Sequence, residues 1–167
     1  MIARVLRANV HQRLHMHFGA GQRILELGCG TGEDALHLAQ RGVHVTATDA
    51  SEAMRAQARA KTADCALVTV LPLDLQCLER GAVPGLEWPS FDGAFANFGP
   101  LNCLRDWRPL AQFLADVMRP GSVAGFAVMS PFCVWEMAWH GLHGDLRTLR
   151  GVCGGRLCFC LRMPTLR

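Results

Sequence analysis

Short apolar, β-branched stretches alternate with helical stretches at least four times between Arg23 and Ser130, and this alternation constrains the fold more than any other feature. "RILELG" (23–28) reads as a first strand. Glu33 to Arg41 reads as a helix, with Gly42 just past its end, where glycine is favoured. "VHVTATD" (43–49) alternates as a second strand, and Ser51 is a good N-cap for the Ala-rich helix "EAMRAQARAK" (52–61). "CALVTVL" (65–71), "FDGAFANF" (91–98) and "SVAGFAVMS" (122–130) read as strands three to five. Gly81 to Ser90 is a Pro/Gly loop. Asp106 caps a helix over "WRPLAQFLADVMR" (107–119), which Pro120-Gly121 ends. Upstream, Val5, Leu6, Val10, Leu14 and Phe18 fall near helical spacing, so Arg4 to Phe18 is expected to pack as a helix on the domain. Residues 132–144 read as helical, and "RLCFCLRM" (156–163) as one more strand. The fold class that follows is α/β: a doubly wound, mostly parallel sheet with helices on both faces. In such a sheet the ligand sits at the carboxyl ends of the strands, at the switch point beside strand one.

A chain of 167 residues, half of them hydrophobic and 19% charged, is enough for one globular domain. The net charge of +3 comes from scattered residues, with no basic block that would favour nucleic acid. Eight cysteines form no disulfide framework, and no signal peptide precedes them, so they read as reduced thiols in a cytoplasmic protein. Cys153, Cys158 and Cys160 fit no standard zinc spacing, and no metal is expected. No apolar run approaches the roughly 18 residues of a membrane span.

The loop in "ILELGCGTGEDALHLAQRG" (24–42) selects the ligand class. Its glycines are Gly28, Gly30 and Gly32, a G-x-G-x-G run. The dinucleotide fingerprint needs a glycine at 33, where this chain has Glu33 followed by Asp34. Carboxylates at a helix start complement the helix dipole and repel a pyrophosphate. The Lys-Ser/Thr of a P-loop is also missing. Glu26 stands near the end of an otherwise apolar strand, where a buried carboxylate needs a partner. Asp49 ends strand two, about 20 residues past the glycines, the position that bonds a ribose diol in doubly wound sheets. The ligand that suits these groups is a nucleoside with a ribose, no phosphate and a positive, amino-bearing tail. S-adenosyl-L-methionine fits that description.

The same residues carry a resemblance. "ILELGCGTG" resembles the first motif of class I S-adenosylmethionine-dependent methyltransferases. "VTATDASEAM", "LPLDL" and "FDGAFANFGPLNCL" are similar to the motifs of the second, third and fourth strands, and "FLADVMRPGSVAGFAVM" to the helix, turn and fifth strand that follow. The resemblance spans roughly residues 20–140 of one domain covering 1–167, with 1–19 an N-terminal helix and 141–167 an incomplete C-terminal part. It implies that Glu26 and the backbone near Gly28, Gly30 and Gly32 hold the methionine part, and that Asp49 takes both ribose hydroxyls. It implies that Ala50 and Met54 line the adenine, that Asp74 accepts from its amino group with Leu75 adding a backbone contact, and that Asn97 and Phe98 lie under the methyl donor.

The resemblance also implies a seven-stranded sheet in the order 3-2-1-4-5-7-6. Only one strand is legible after the fifth, so strand seven is expected to be missing and strand five to keep an open edge, a surface for a homodimer. Methyl transfer from a sulfonium is an in-line displacement that needs alignment and exclusion of water. Glu136, His140 and His143 are the candidate general bases. His11 and His15, four apart, read as a solvated helix face in preference to a metal pair. Trp88, Trp107, Trp135 and Trp139 are core residues on the simpler reading and substrate walls on the other. A methyltransferase acting on a small molecule is the first hypothesis, and a catalytically silent cofactor-binding or dimerisation module left by truncation is the second. A nicotinamide dehydrogenase shares the fold class but is disfavoured by Glu33 and Asp34.

Overall fold

The computed structural model describes residues 2–78, 91–128, 142 and 160–162. Its elements are α1 (Ile2–His17), β1 (Arg23–Leu27), α2 (Glu33–Ala39), β2 (His44–Asp49), α3 (Glu52–Lys61), β3 (Val68–Pro72), β4 (Phe91–Ala96), a 3-10 turn (Pro100–Cys103), α4 (Arg108–Val117), β5 (Met118–Phe126) and β6 (Cys160–Arg162). They form one six-stranded sheet in the order β3-β2-β1-β4-β5-β6. The first five strands are parallel. The chain works outward from β1 to one edge, returns to the other side of β1 at β4, and so creates the switch point between β1 and β4.

Strands buried on both faces read as near-continuous apolar runs. β1 is such a strand: Ile24, Leu25 and Leu27 are fully buried, and neighbours face opposite sides. Ile24 joins the core formed with α1, α2 and α3, together with Leu14, Phe18, Leu38 and Phe95. Leu25 and Leu27 join the core on the α4 side, with Phe91, Leu101, Phe113 and Val117. β4 divides in the same way, Phe95 to one face and Ala94 and Ala96 to the other. Helix α4 presents Leu110, Phe113, Leu114 and Val117 at the i, i+3, i+4, i+7 spacing that makes one apolar stripe. Trp107 packs beside that core, edge-on to Phe126 with ring centroids 6.4 Å apart. Of the four tryptophans, it alone falls among the described residues.

Among the described residues the expected elements are present, with Trp107 rather than Asp106 at the N-cap position of α4 and three further differences. Helix α2 ends at Ala39, two residues before Arg41. Pro120-Gly121 does not separate α4 from β5: the strand begins at Met118, and its register against β4 slips between Phe91 and Gly93, so the two residues sit in an irregularity within the strand. The third difference corrects the expectation of an open edge. β6 pairs antiparallel with β5, with Val123 opposite Arg162 and Gly125 opposite Cys160. Its place and direction are those the resemblance assigns to strand seven, so over Val123–Gly125 the edge offered for a homodimer is already hydrogen-bonded. The expected helix at 132–144, apart from Leu142, and the loop at 81–90 lie outside the described residues. No helix among the described residues is long and apolar enough to cross a membrane.

Candidate functional site

The turn after β1 reverses the chain through three left-handed residues in five positions: Gly28 (φ 71°), Gly30 (φ 53°) and Gly32 (φ 77°). L-residues rarely adopt that region. Gly28 has a second constraint, since a Cβ there would lie 2.5 Å from the Pro100 Cβ. Gly32 is the left-handed N-cap of α2, and its Cβ would meet that of Ala58 at 3.0 Å. The loop is therefore pressed between the turn after β4 on one side and α3 on the other.

Above it opens a cavity of about 690 Å³ at the carboxyl ends of the strands. Glu26, Gly28 and Gly30 line it from β1 and its turn. Asp49, Ala50 and Met54 line it from the end of β2 and the start of α3. Asp74 and Leu75 come from the turn after β3, and Asn97 and Phe98 from the end of β4. The structure thus brings together every predicted cofactor contact except Gly32, which lies behind the loop and is not part of the lining. Glu136, His140 and His143 fall outside the described residues.

Backbone geometry fixes the polar groups. The two oxygens of Asp49 each accept one backbone N–H, from Gly30 and from Ser51, both at 2.9 Å. Each oxygen keeps a lone pair for a ligand donor. The Arg55 guanidinium donates to the carbonyls of Asp49 and Ala50 at 2.7 and 2.8 Å, closing off the end of β2 from below. Ser51 caps α3 as expected, accepting the Met54 N–H at 3.4 Å. Asp74 accepts the Gln76 N–H at 2.9 Å in a turn that aims its carboxylate at the cavity rim. Phe98 has φ 58°, the sole described non-glycine residue in the left-handed region, and it stands over the strand ends half-exposed. Strain of this kind clusters at ligand sites.

The cavity is acidic. Glu26, Glu33, Asp34, Asp49 and Asp74 line it against a single described basic residue, Arg7. Two of these acids are already partnered by side chains. Glu33 pairs with Lys61. Asp34 is buried, accepts the Asn97 amide at 3.0 Å and bonds His11 at 2.8 Å. The Glu26 carboxyl is in a different state. It is buried at 2% exposure, and its Oε2 has no hydrogen-bond partner. Burial pushes its pKa well above the ordinary carboxylate range, and Asp34 and Asp49 push the same way against Arg7. A buried carboxyl without a partner is costly unless a cation or donor reaches it, so this cavity fits a ligand with a positive group near Glu26 and a diol near Asp49. Cys29 also lines it, but burial, Glu26 and Asp49 push the thiol up to about 12, which makes it an inert wall.

The sequence does not single out Arg7, and it offers His11 only as half of a pair with His15. Arg7 stands 5.3 Å above the Phe98 ring, and His11 reaches Asp34. Both come from α1, well before the glycine loop in sequence, and no local motif announces them. His11 and His15 do not form a solvated face: His11 and His15 both stack on His37 of α2, at 3.7 and 4.9 Å between centroids. Among the described residues no cluster suits a metal ion, and Cys29, Cys65, Cys77 and Cys103 are free thiols.

A family model described as a methyltransferase domain matches residues 24–121. A malonyl-acyl-carrier-protein O-methyltransferase of Pectobacterium atrosepticum is 33% identical over 137 residues, 78% of this chain and 49% of that one. The O-methyltransferase resE of Aspergillus sclerotiorum is 36% identical over 104 residues, 62% of this chain and 38% of that one. The solved S-adenosylmethionine-dependent methyltransferase from Mesorhizobium loti is 31% identical, with a TM-score of 0.59 over 67% of this chain and 49% of that one. The chain spans about half, or less, of the length of the curated relatives it matches.

Proposed function

Since this chain belongs to the methyltransferase domain family, we propose that it binds S-adenosyl-L-methionine in the 690 Å³ cavity and places it for in-line methyl transfer to a small-molecule nucleophile. The observation that carries the reading is the facing pair of Glu26 and Asp49 in one cavity, the first unpartnered and buried, the second held open by two backbone N–H groups. The cofactor supplies a methyl group already activated by a positive sulfur. Glu26 and the backbone of Gly28 and Gly30 hold the methionine end. Asp49 accepts the two ribose hydroxyls. Ala50 and Met54 flank the adenine, Asp74 accepts from its amino group, and Leu75 offers a backbone contact. Asn97 and Phe98 close the floor under the reacting methyl and keep water from it. Gly32 supports the loop from behind.

Residues 1–167 act as one domain on this reading. Glu136, His140 and His143 are the groups to substitute in search of a general base. The thiols of Cys77 and Cys103, free and exposed, support a cytoplasmic setting. Calorimetric titration with S-adenosyl-L-methionine tests the cofactor assignment, with NAD and the Asp49→Ala variant as controls. Saturable binding lost in the variant and absent with NAD is the expected result. No binding by a chain folded by circular dichroism overturns the assignment. Binding without turnover on any acceptor would favour the silent module instead.

A further inference from the structure

A second cavity of about 620 Å³ adjoins the first and shares Asn97 and Phe98 with it. One wall is a face of α1 that carries Leu6, Val10, Arg13 and His17. The opposite wall is the end of β5 and the residues after it, Val123, Phe126 and Val128. The two cavities differ in charge. Five carboxylates line the first, whereas no Asp or Glu lines the second among the described residues. Arg13 and His17 are both exposed, and neither makes a hydrogen bond or ion pair with a described residue.

The direction of α1 sets a distance. Arg7 stands over Phe98, at the strand ends, while Phe18 lies 6.1 Å from Phe95 and against Gly93, deeper along the sheet. The helix therefore runs back from the methyl-donor end. Leu6 and Arg13 are seven residues apart, roughly 10 Å along the axis at 1.5 Å per residue.

We propose that this second cavity is the acceptor site, and that the acceptor is an elongated, apolar small molecule with an anionic group roughly 10 Å from its nucleophilic end. This rests on the cofactor reading above. The apolar walls take the body of the molecule, the nucleophile enters beside Phe98, and the Arg13 guanidinium, assisted by His17, binds the acid. A planar guanidinium pairs with a carboxylate or sulfonate through two parallel hydrogen bonds. Among the described residues no carboxylate opposes an acidic acceptor here, while the same acceptor is repelled from the cofactor cavity. In the transfer, the nucleophile's electron pair forms the bond to the methyl carbon, the carbon–sulfur bond breaks, and the sulfur leaves as a neutral thioether with that bonding pair. Any proton on the nucleophile passes to solvent or base.

The test uses two fluorescent probes with one aromatic body, 8-anilinonaphthalene-1-sulfonate and its uncharged parent N-phenyl-1-naphthylamine. The wild-type chain is expected to bind the sulfonate at one saturable site, with saturating S-adenosylhomocysteine present or absent. Arg13→Gln is expected to weaken the sulfonate about tenfold and leave the uncharged parent unchanged, as loss of one charge-assisted contact does. Val10→Trp, which fills the cavity, is expected to remove both. Calorimetry with S-adenosyl-L-methionine on the same variants separates the two readings, because neither residue lines the cofactor cavity. Sulfonate binding indifferent to Arg13→Gln overturns the proposal, as does displacement of the probe by S-adenosylhomocysteine. Normal probe behaviour with no cofactor binding overturns the cofactor reading and, with it, the assignment as an acceptor site.

Discussion

The Asp49 carboxylate accepts the Gly30 N–H at 2.9 Å, joining the end of β2 to the glycine loop that follows β1. The other oxygen accepts from Ser51 at the start of α3. One side chain thereby positions the loop, the helix start and its own free lone pairs. Asp49→Asn tests this economy. An amide has one acceptor oxygen, so its NH2 must face one of the two backbone N–H groups. The expected cost is about 1–3 kcal/mol of stability, read by urea denaturation. Asp49→Ala also removes both ribose acceptors, and the affinity for S-adenosyl-L-methionine is expected to fall by at least about tenfold. Unchanged affinity in the folded Ala variant would sink the ribose role.

Glu26 predicts a proton linked to cofactor binding. In the free protein its pKa is raised, chiefly by burial. Between the ordinary carboxylate value of about 4.3 and that raised value the folded chain holds a proton on Glu26. An ammonium or sulfonium arriving beside it favours the ionised form, so binding releases a proton and tightens as pH rises through that window. Calorimetry in two buffers of different ionisation enthalpy counts the proton. Glu26→Gln should abolish the release, and a release that persists in the variant would place the proton elsewhere.

The sheet was legible because its strands are buried on both faces and its helices begin and end with recognisable signals, Ser51 and Gly42 among them. The cavity was legible because Glu26, the glycines and Asp49 lie within 24 residues of one another along a β-α-β unit. Partners distant in sequence were not. His11 reaches Asp34 across 23 residues, and Asn97 reaches it across 63. The i, i+4 spacing of His11 and His15 carried no hint that His37 fills the space beside them. Gly32 shows the same limit: its glycine is visible in the motif, but its contact with Ala58 depends on how α3 packs. The pairing of β6 with β5 is antiparallel and non-local, and an alternating run of residues does not say which edge it joins.

The histidine cluster between α1 and α2 predicts loss of stability in acid. His15 and His37 hydrogen-bond at 2.8 Å, which requires at least one neutral ring. Burial lowers the pKa of His15 most, with Arg41 and His11 adding to it. Burial also lowers that of His37, with His11, His15 and Arg41 adding and Asp34 opposing. A depressed folded pKa contributes stability that is present above the unfolded value of about 6.5 and lost as pH falls through the folded value. Glu26 works in the opposite direction, so the comparison with a variant carries the test. His37→Gln is expected to show a smaller fall in Tm between pH 7.5 and pH 5 than the wild type. Equal falls would show that the cluster does not link α1 docking to protonation.

Gly28 and Gly30 separate two costs that a glycine loop usually mixes. Both have positive φ, so an alanine at either position carries left-handed strain of about 1–2 kcal/mol. At Gly30 that is the whole expected cost to the free protein, because a Cβ there meets nothing within 4 Å. At Gly28 the new Cβ lies 2.5 Å from the Cβ of Pro100 and 2.7 Å from its Cγ. Proline is stiff, and Leu101 behind it is buried at 1% exposure, so the 3-10 turn has little room to retreat. Gly28→Ala is therefore expected to cost about 1–3 kcal/mol more than Gly30→Ala. Urea denaturation of the two variants reads the difference directly. Gly30→Ala should also weaken cofactor binding while costing the fold no more than that left-handed strain, since Gly30 lines the cavity. If Gly30→Ala were the more destabilised of the two, contact with Pro100 would not be what holds the loop in place.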